Sequence, residues 1–325
     1  MGKKDGGNDS NRRNESIEAL RIVAAFAIVL FHSGAPGHDL AYSGLIVFLL
    51  LSPGLDCMFN WERVRSPALL AKTFIIPWLF WMIVYGALNF LRGLPLLAGH
   101  GSPFGIFYGT APHLWFMPAM FAVLAALNIL KPRMSPGMLF WLATLGAAAL
   151  LTTASLWRPP STGWSEPLGQ WMQAAPIVLV GIALGLGGKV PRWAAIAGGS
   201  SLAISLAIVG AAALPGVSIP YVLGTLVTVP VLWFGPRSIG GAGIIRQISA
   251  CMLGVYLSHI FLLSVVSRIT GHGNYLTAIL AFSCALAIVW IAQRIVPMSQ
   301  FVIGPAIPGR RLAPVTRSRV LWRGT

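Results

Sequence analysis

The sequence predicts an all-α, polytopic membrane protein of about ten transmembrane helices with both termini in the cytoplasm. Three observations carry that expectation. Hydrophobic residues make up 56% of the 325-residue chain and charged residues only 10%, with a mean hydropathy of +0.76, which leaves too little polar surface to cover a soluble globule. Apolar runs long enough to cross roughly 30 Å of hydrocarbon recur along the chain. Finally, the basic residues sort to alternate ends of those runs, as they do where cytoplasmic loops retain Lys and Arg.

Taken in order, residues 1–15 are Gly, Asn and charge, with Lys3, Lys4, Arg12 and Arg13. Such a composition cannot bury a core and is expected to be a disordered cytoplasmic tail. The run at 16–34 is long for a signal-peptide h-region and has no small-x-small cleavage site, so it is expected to stay in the mature protein. Further spans are expected near 41–59, 68–91, 113–130, 137–157, 171–188, 193–213, 218–235, 247–268 and 275–296. The Gly/Pro-rich runs near 181–188 and 214–220 are where the number of spans would change. No repeat of fixed period is evident.

With the N-terminus inside, the cytoplasmic side receives Arg63, Arg65, Lys131, Arg133, Lys189, Arg192, Arg237 and Arg246. Residues 297–325, rich in Pro and Arg, then form a basic cytoplasmic tail lying against anionic lipid. Only Arg92, Arg158 and Arg268 fall outside. The net charge of +15 is therefore a matter of membrane orientation. No aromatic-basic motif of a nucleic-acid module accompanies it. Cys57, Cys251 and Cys284 lie in apolar runs without CxxC or zinc spacing, which argues against metal or redox chemistry.

Ionisable groups inside apolar spans are costly and so point to function. Arg21 and His32 are eleven positions apart, which on a helix is about 16 Å along the axis and within roughly 20° of one face. A snorkelling arginine and an interfacial histidine are the alternative reading. Asp56, near the inner end of the second span, is expected to pair with Arg21 or Lys72, chiefly as a structural ion pair. Glu18, one turn before Arg21, is placed to hold that arginine. Trp61, Trp78, Trp81, Trp157, Trp164 and Trp171 fall near span ends and are expected to anchor at the interface. Asp39 and Glu166, the outer-loop carboxylates, are expected to be solvated charges, with contact to a sugar as the alternative reading.

Glu18-Ala19-Leu20-Arg21, ten residues and His32 open a series of motifs. It continues with the aromatic-led stretch Phe48 to Gly54 containing Ser52, then Lys72 ahead of Pro77-Trp78-Leu79-Phe80-Trp81. His113-Leu114-Trp115-Phe116 and Tyr256-Leu257-Ser258-His259 complete it. In this order the chain resembles the membrane acyltransferase-3 family, whose members O-acylate envelope glycans. The chain departs from the family pattern in offering only Lys72 where relatives carry arginines a turn apart. It also lacks, in Met117-Pro118-Ala119-Met120, the glutamate of one branch.

The resemblance implies an acyltransferase domain over 16–296 in the bacterial cytoplasmic (inner) membrane. It implies acetyl-CoA, or another acyl-CoA, as co-substrate with no bound cofactor or metal, and an envelope glycan or lipid-linked saccharide as acceptor. Arg21 would bind donor, and His32 would be the general base or a transient acyl acceptor. Glu18, Ser52, Asp56, Lys72, His113, Trp115, Tyr256 and His259 would contact substrate. Membrane lipids are the remaining partner, and nucleic acid is not one. A transporter or flippase is the alternative and would call for inverted repeats. A catalytically silent assembly partner is a third reading.

Overall fold

The computed structural model describes residues 15–98, 103–233 and 242–304. The predicted tail residues 1–14, the tail residues 305–325 and Arg237 lie outside them. Among the described residues the fold is entirely helical, without strands. α1 (Glu15–Ser33) opens with Glu15 and Glu18 in its first turn, complementing the helix dipole. It stops where Ser33 turns its hydroxyl to Leu30 O and Gly34 takes a positive φ. α2 (His38–Ala41) and α3 (Ser43–Phe59) form the second apolar segment.

The third segment begins with α4 (Pro67–Leu70), capped by the Ser66 side chain with Pro67 at its start. It widens into a π-turn over Ala71–Ile75 before α5 (Ile76–Leu91). Pro77 explains the widening, since it has no N–H to return to Thr73 and its ring crowds that carbonyl. After α6 (Gly105–Tyr108) come α7 (Phe116–Leu130) and α8 (Pro136–Thr152).

The span expected at 137–157 is not straight. α8 gives way to α9 (Ala154–Ser161) through a bend of 72°. Thr152 and Thr153 both turn their hydroxyls back onto Ala149 O, a competition with the backbone ladder that bends helices.

α10 (Leu168–Leu186), α11 (Arg192–Ala211), α12 (Ser218–Trp233), α13 (Ala242–Ala250), α14 (Met252–Thr270) and α15 (Tyr275–Ile295) follow. Among the described residues, seven segments are long and apolar enough to cross a membrane, or eight if the bent α8–α9 pair is one span. α7 and α12 are apolar but shorter. The Gly-rich run at 181–188 does not break α10 until Leu186, because its glycines serve packing. A Cβ on Gly181 would lie 2.5 Å from Leu50 O, and one on Gly185 would lie 2.2 Å from Gly54 O. α3 and α10 therefore meet backbone to backbone, a small-xxx-small seam of the kind that drives helix association in lipid.

The helix ends gather at two poles. At one, Arg65, Asp56 and Lys131 meet, and Glu18 of α1 meets Ser249 of α13. At the other, Gly273 N donates to Ser33 O and the Tyr275 hydroxyl donates to Pro36 O, tying the end of α1 to the α14–α15 turn. Three of the tryptophans expected at the interface are instead core residues. Trp61, Trp78 and Trp81 are buried, and Trp81 Nε1 donates to Val302 O. Their inward faces pack between helices, and that packing outweighs the interfacial preference. Trp164 is exposed.

Candidate functional site

α1 brings its two singled-out polar groups to two different cavities. The first, about 230 Å³, is walled by Arg21, Glu18 and Ser52 among apolar side chains such as Phe48, Leu51 and Phe116. Arg21 Nη1 lies 3.4 Å from both Glu18 carboxylate oxygens. Glu18 is buried and also accepts from the Ser249 hydroxyl. The pair holds a guanidinium, 36% exposed, at the cavity wall with most of its donor fork unused by Glu18. Lys72 does not line this cavity. It is exposed on the π-turn, while Thr73 and Phe74 beside it form part of the wall.

Asp56 lies elsewhere, which corrects its expected pairing. Its buried carboxylate meets buried Lys131 and, at 2.9 Å, Arg65, rather than Arg21 or Lys72. Lys131 Nζ also reaches the carbonyls of Asp56 and Asn60. Asn128 completes the cluster by bonding both backbone groups of Arg65. These contacts give the carboxylate two cations and join the ends of α3 and α7, so Asp56 has an architectural place.

The second cavity, about 420 Å³, is lined by His32, His113, Trp115 and Tyr256, which were singled out from sequence. Arg158, Gln170, Gln173, Tyr42, Tyr108 and Asp39 also line it. His259 sits behind His32 with ring centroids 5.1 Å apart, and His113 is 4.9 Å from His259. Tyr256 donates its hydroxyl to His113 O.

The ring protons of two of these histidines are set by their partners. A carbonyl only accepts, so His113 Nε2 carries the proton it gives Leu257 O at 3.3 Å, and His259 Nδ1 carries the one it gives Tyr256 O. Among the described residues, His113 Nδ1 and His259 Nε2 are buried without a hydrogen-bond partner. A second proton on either ring would be a buried donor without an acceptor, so each presents a bare lone pair. At the cavity rim, burial and the hydrogen-bonded Glu166 carboxylate push the Tyr108 phenol up, so it stays a donor.

The cavities are separated by a thin partition: Ile28, Leu45 and Tyr256 belong to the walls of both. Among the described residues, no group of three or more His, Cys, Asp or Glu side chains is arranged to hold a metal ion. Sequence reasoning missed Arg158, Gln170 and Gln173. Arg158 did carry a signal, as one of three cations on the wrong side of the charge sorting. The glutamines stood out as the polar members of an apolar run. For Lys131, nothing local marks it as a buried partner.

The family model of acyltransferase-3, described as an acyltransferase domain, matches residues 14–294. No curated protein and no solved structure matches the chain.

Proposed function

The chain belongs to this acyltransferase family, and from that premise we propose that it is a bacterial inner-membrane O-acetyltransferase that crosses the bilayer ten times with both termini inside. It moves an acetyl group from cytoplasmic acetyl-CoA to a hydroxyl of an extracytoplasmic or lipid-linked polysaccharide. The observation that carries this reading is that one helix places Arg21 in one cavity and His32 in another, with Ile28, Leu45 and Tyr256 in the walls of both.

The two cavities suit the two substrates. The Arg21 cavity is mostly apolar with one cation, which fits a pantetheine arm whose phosphate is gripped at the mouth. About 16 Å of helix between Arg21 and His32 is comparable to the reach of that arm. Thr73 and Phe74 of the π-turn line the same cavity, leaving Lys72 to meet the donor's outer phosphates. The His32 cavity is lined by hydroxyl, amide and imidazole groups, which suit a sugar.

The thioester passes the Tyr256 partition to reach His32. With His32 as a neutral imidazole, the acceptor hydroxyl gives its proton to the unprotonated ring nitrogen as its oxygen bonds the thioester carbonyl carbon. The carbon–sulfur bond then breaks, and the thiolate takes the proton back from the imidazolium. Transient acylation of His32 itself is the variant of this step. The lone pair of His113 orients the acceptor, while His259, which does not line the cavity, backs the His32 ring and positions it.

The test is acyl transfer from radiolabelled acetyl-CoA by membranes holding native protein, His32→Ala or Arg21→Ala at matched levels, supplied with the host's envelope glycans. Label reaching glycan only with intact His32 supports the proposal. Equal labelling by the His32 variant sinks it in favour of a transporter.

A further inference from the structure

We propose that the acceptor carries an anionic group, a carboxylate or a phosphate, and that Arg158 is the residue that reads it. The inference rests on taking the His32 cavity as the acceptor site. Arg158 sits on α9, which the bend after α8 lays beside that cavity. Its guanidinium is held in place: Nε donates to Pro215 O at 3.2 Å. The neighbouring Gly216 has φ +71, and a Cβ there would lie 3.3 Å from Arg158 Nη2 and 3.3 Å from Gln173 Nε2. Gln173 in turn donates to Gly216 O at 2.6 Å. A turn that only glycine serves comfortably thus fixes an arginine and a glutamine side by side.

The charge on this fork is not neutralised by the protein. Among the described residues no carboxylate lies within ion-pairing distance of Arg158. Of the two carboxylates of this pole, Asp39 is 88% exposed and lies 3.4 Å from the His38 ring, and Glu166 takes Tyr108 and Gln170. A preorganised, half-buried guanidinium with free Nη donors matches the planar oxygens of a carboxylate or phosphate. Next to it, Gln170 Oε1 is buried in the same wall without a hydrogen-bond partner, an acceptor suited to a sugar hydroxyl. Arg158 and Gln170 together describe an acidic sugar, with a uronic carboxylate and a sugar phosphate as the two sources of the anion.

The experiment is equilibrium binding of methyl glucuronide, glucose 1-phosphate and methyl glucoside to the purified full-length protein, native and as Arg158→Gln and Arg158→Lys. A hydrogen-bonded charge pair predicts that at least one anionic sugar binds about tenfold or more tighter than the neutral one. That ratio should fall to about one in Arg158→Gln, recover in part in Arg158→Lys, and shrink with added salt in the native protein. Preference for the glucuronide assigns a uronic acid, and preference for the phosphate assigns a phosphorylated or lipid-linked sugar. Equal binding of charged and neutral sugars by native protein, no saturable binding of either anion, or a preference that survives Arg158→Gln overturns the proposal. Binding needs no acyl transfer, so labelling that persists without His32 would remove the enzymatic reading while leaving an anion preference standing.

Discussion

The Arg21 cavity and the His32 cavity share a helix and a partition but are built oppositely. The first keeps a single ion pair, Arg21 with Glu18, inside walls of Phe, Leu and Met. The second collects histidines, glutamines, tyrosines and an arginine. A linear, mostly apolar arm with a charged head suits the one, and a polyol suits the other. The difference teaches that a single transmembrane helix can present two chemistries at two depths, provided neighbouring helices supply different walls.

The sharpest way to break that contrast is His32→Ala. Loss of a positioned base should lower the transfer rate about 10²–10⁴-fold in the labelling assay while leaving acetyl-CoA binding in place. A comparable loss of donor binding would show that the two cavities are one. Arg21→Ala is the reciprocal test. Removing a charge-assisted contact should raise the donor KM about ten- to hundredfold with acceptor KM little changed, in initial-rate kinetics varied in each substrate.

Gly181→Ala supplies a baseline away from both cavities. A methyl 2.5 Å from Leu50 O should cost about 1–3 kcal/mol, read as a lower thermal midpoint of the purified protein, with both KM values moving little. The smallest effect is expected for Tyr108→Phe. Its hydroxyl bonds Glu166 at the rim of the second cavity, and one such bond is worth about 0.5–1.5 kcal/mol. A few-fold rise in acceptor KM alone would place the sugar at that rim, and a rise in donor KM would not fit the division of labour.

Much of the fold was legible because lipid punishes exceptions. The run expected at 275–296 is α15 at Tyr275–Ile295, and the run at 16–34 is α1 at Glu15–Ser33. What escaped was set by tertiary contact. Thr152 and Thr153 lay inside the straight span expected at 137–157, yet the bend at these threonines leads into α9 and brings Arg158 to the cavity. Gly181 and Gly185 read as breakers because sequence shows their freedom and not the α3 carbonyls pressed against them. Asp56 announced a need for a partner, but whether Arg21, Lys72 or Lys131 met it depended on how α3 and α7 pack. Trp61, Trp78 and Trp81 sat near span ends, and position along a span does not reveal which way a ring faces. His32 was visible as an ionisable residue in an apolar run, and His113, Trp115 and Tyr256 through the motifs shared with the family; the fold gathers all four around one cavity.

The Asp56 cluster bears on how the chain is made. Synthesis delivers α3 with its carboxylate before either cation. Arg65 follows a short loop later, whereas Lys131 arrives 75 residues after Asp56, and the glycines of α10 come later still. The order of synthesis thus lets Arg65 meet Asp56 first, with the buried lysine joining the pair and the glycine seam closing afterwards. A chain stalled before α7 would hold this carboxylate with Arg65 alone, short of the lysine that meets it in the finished fold.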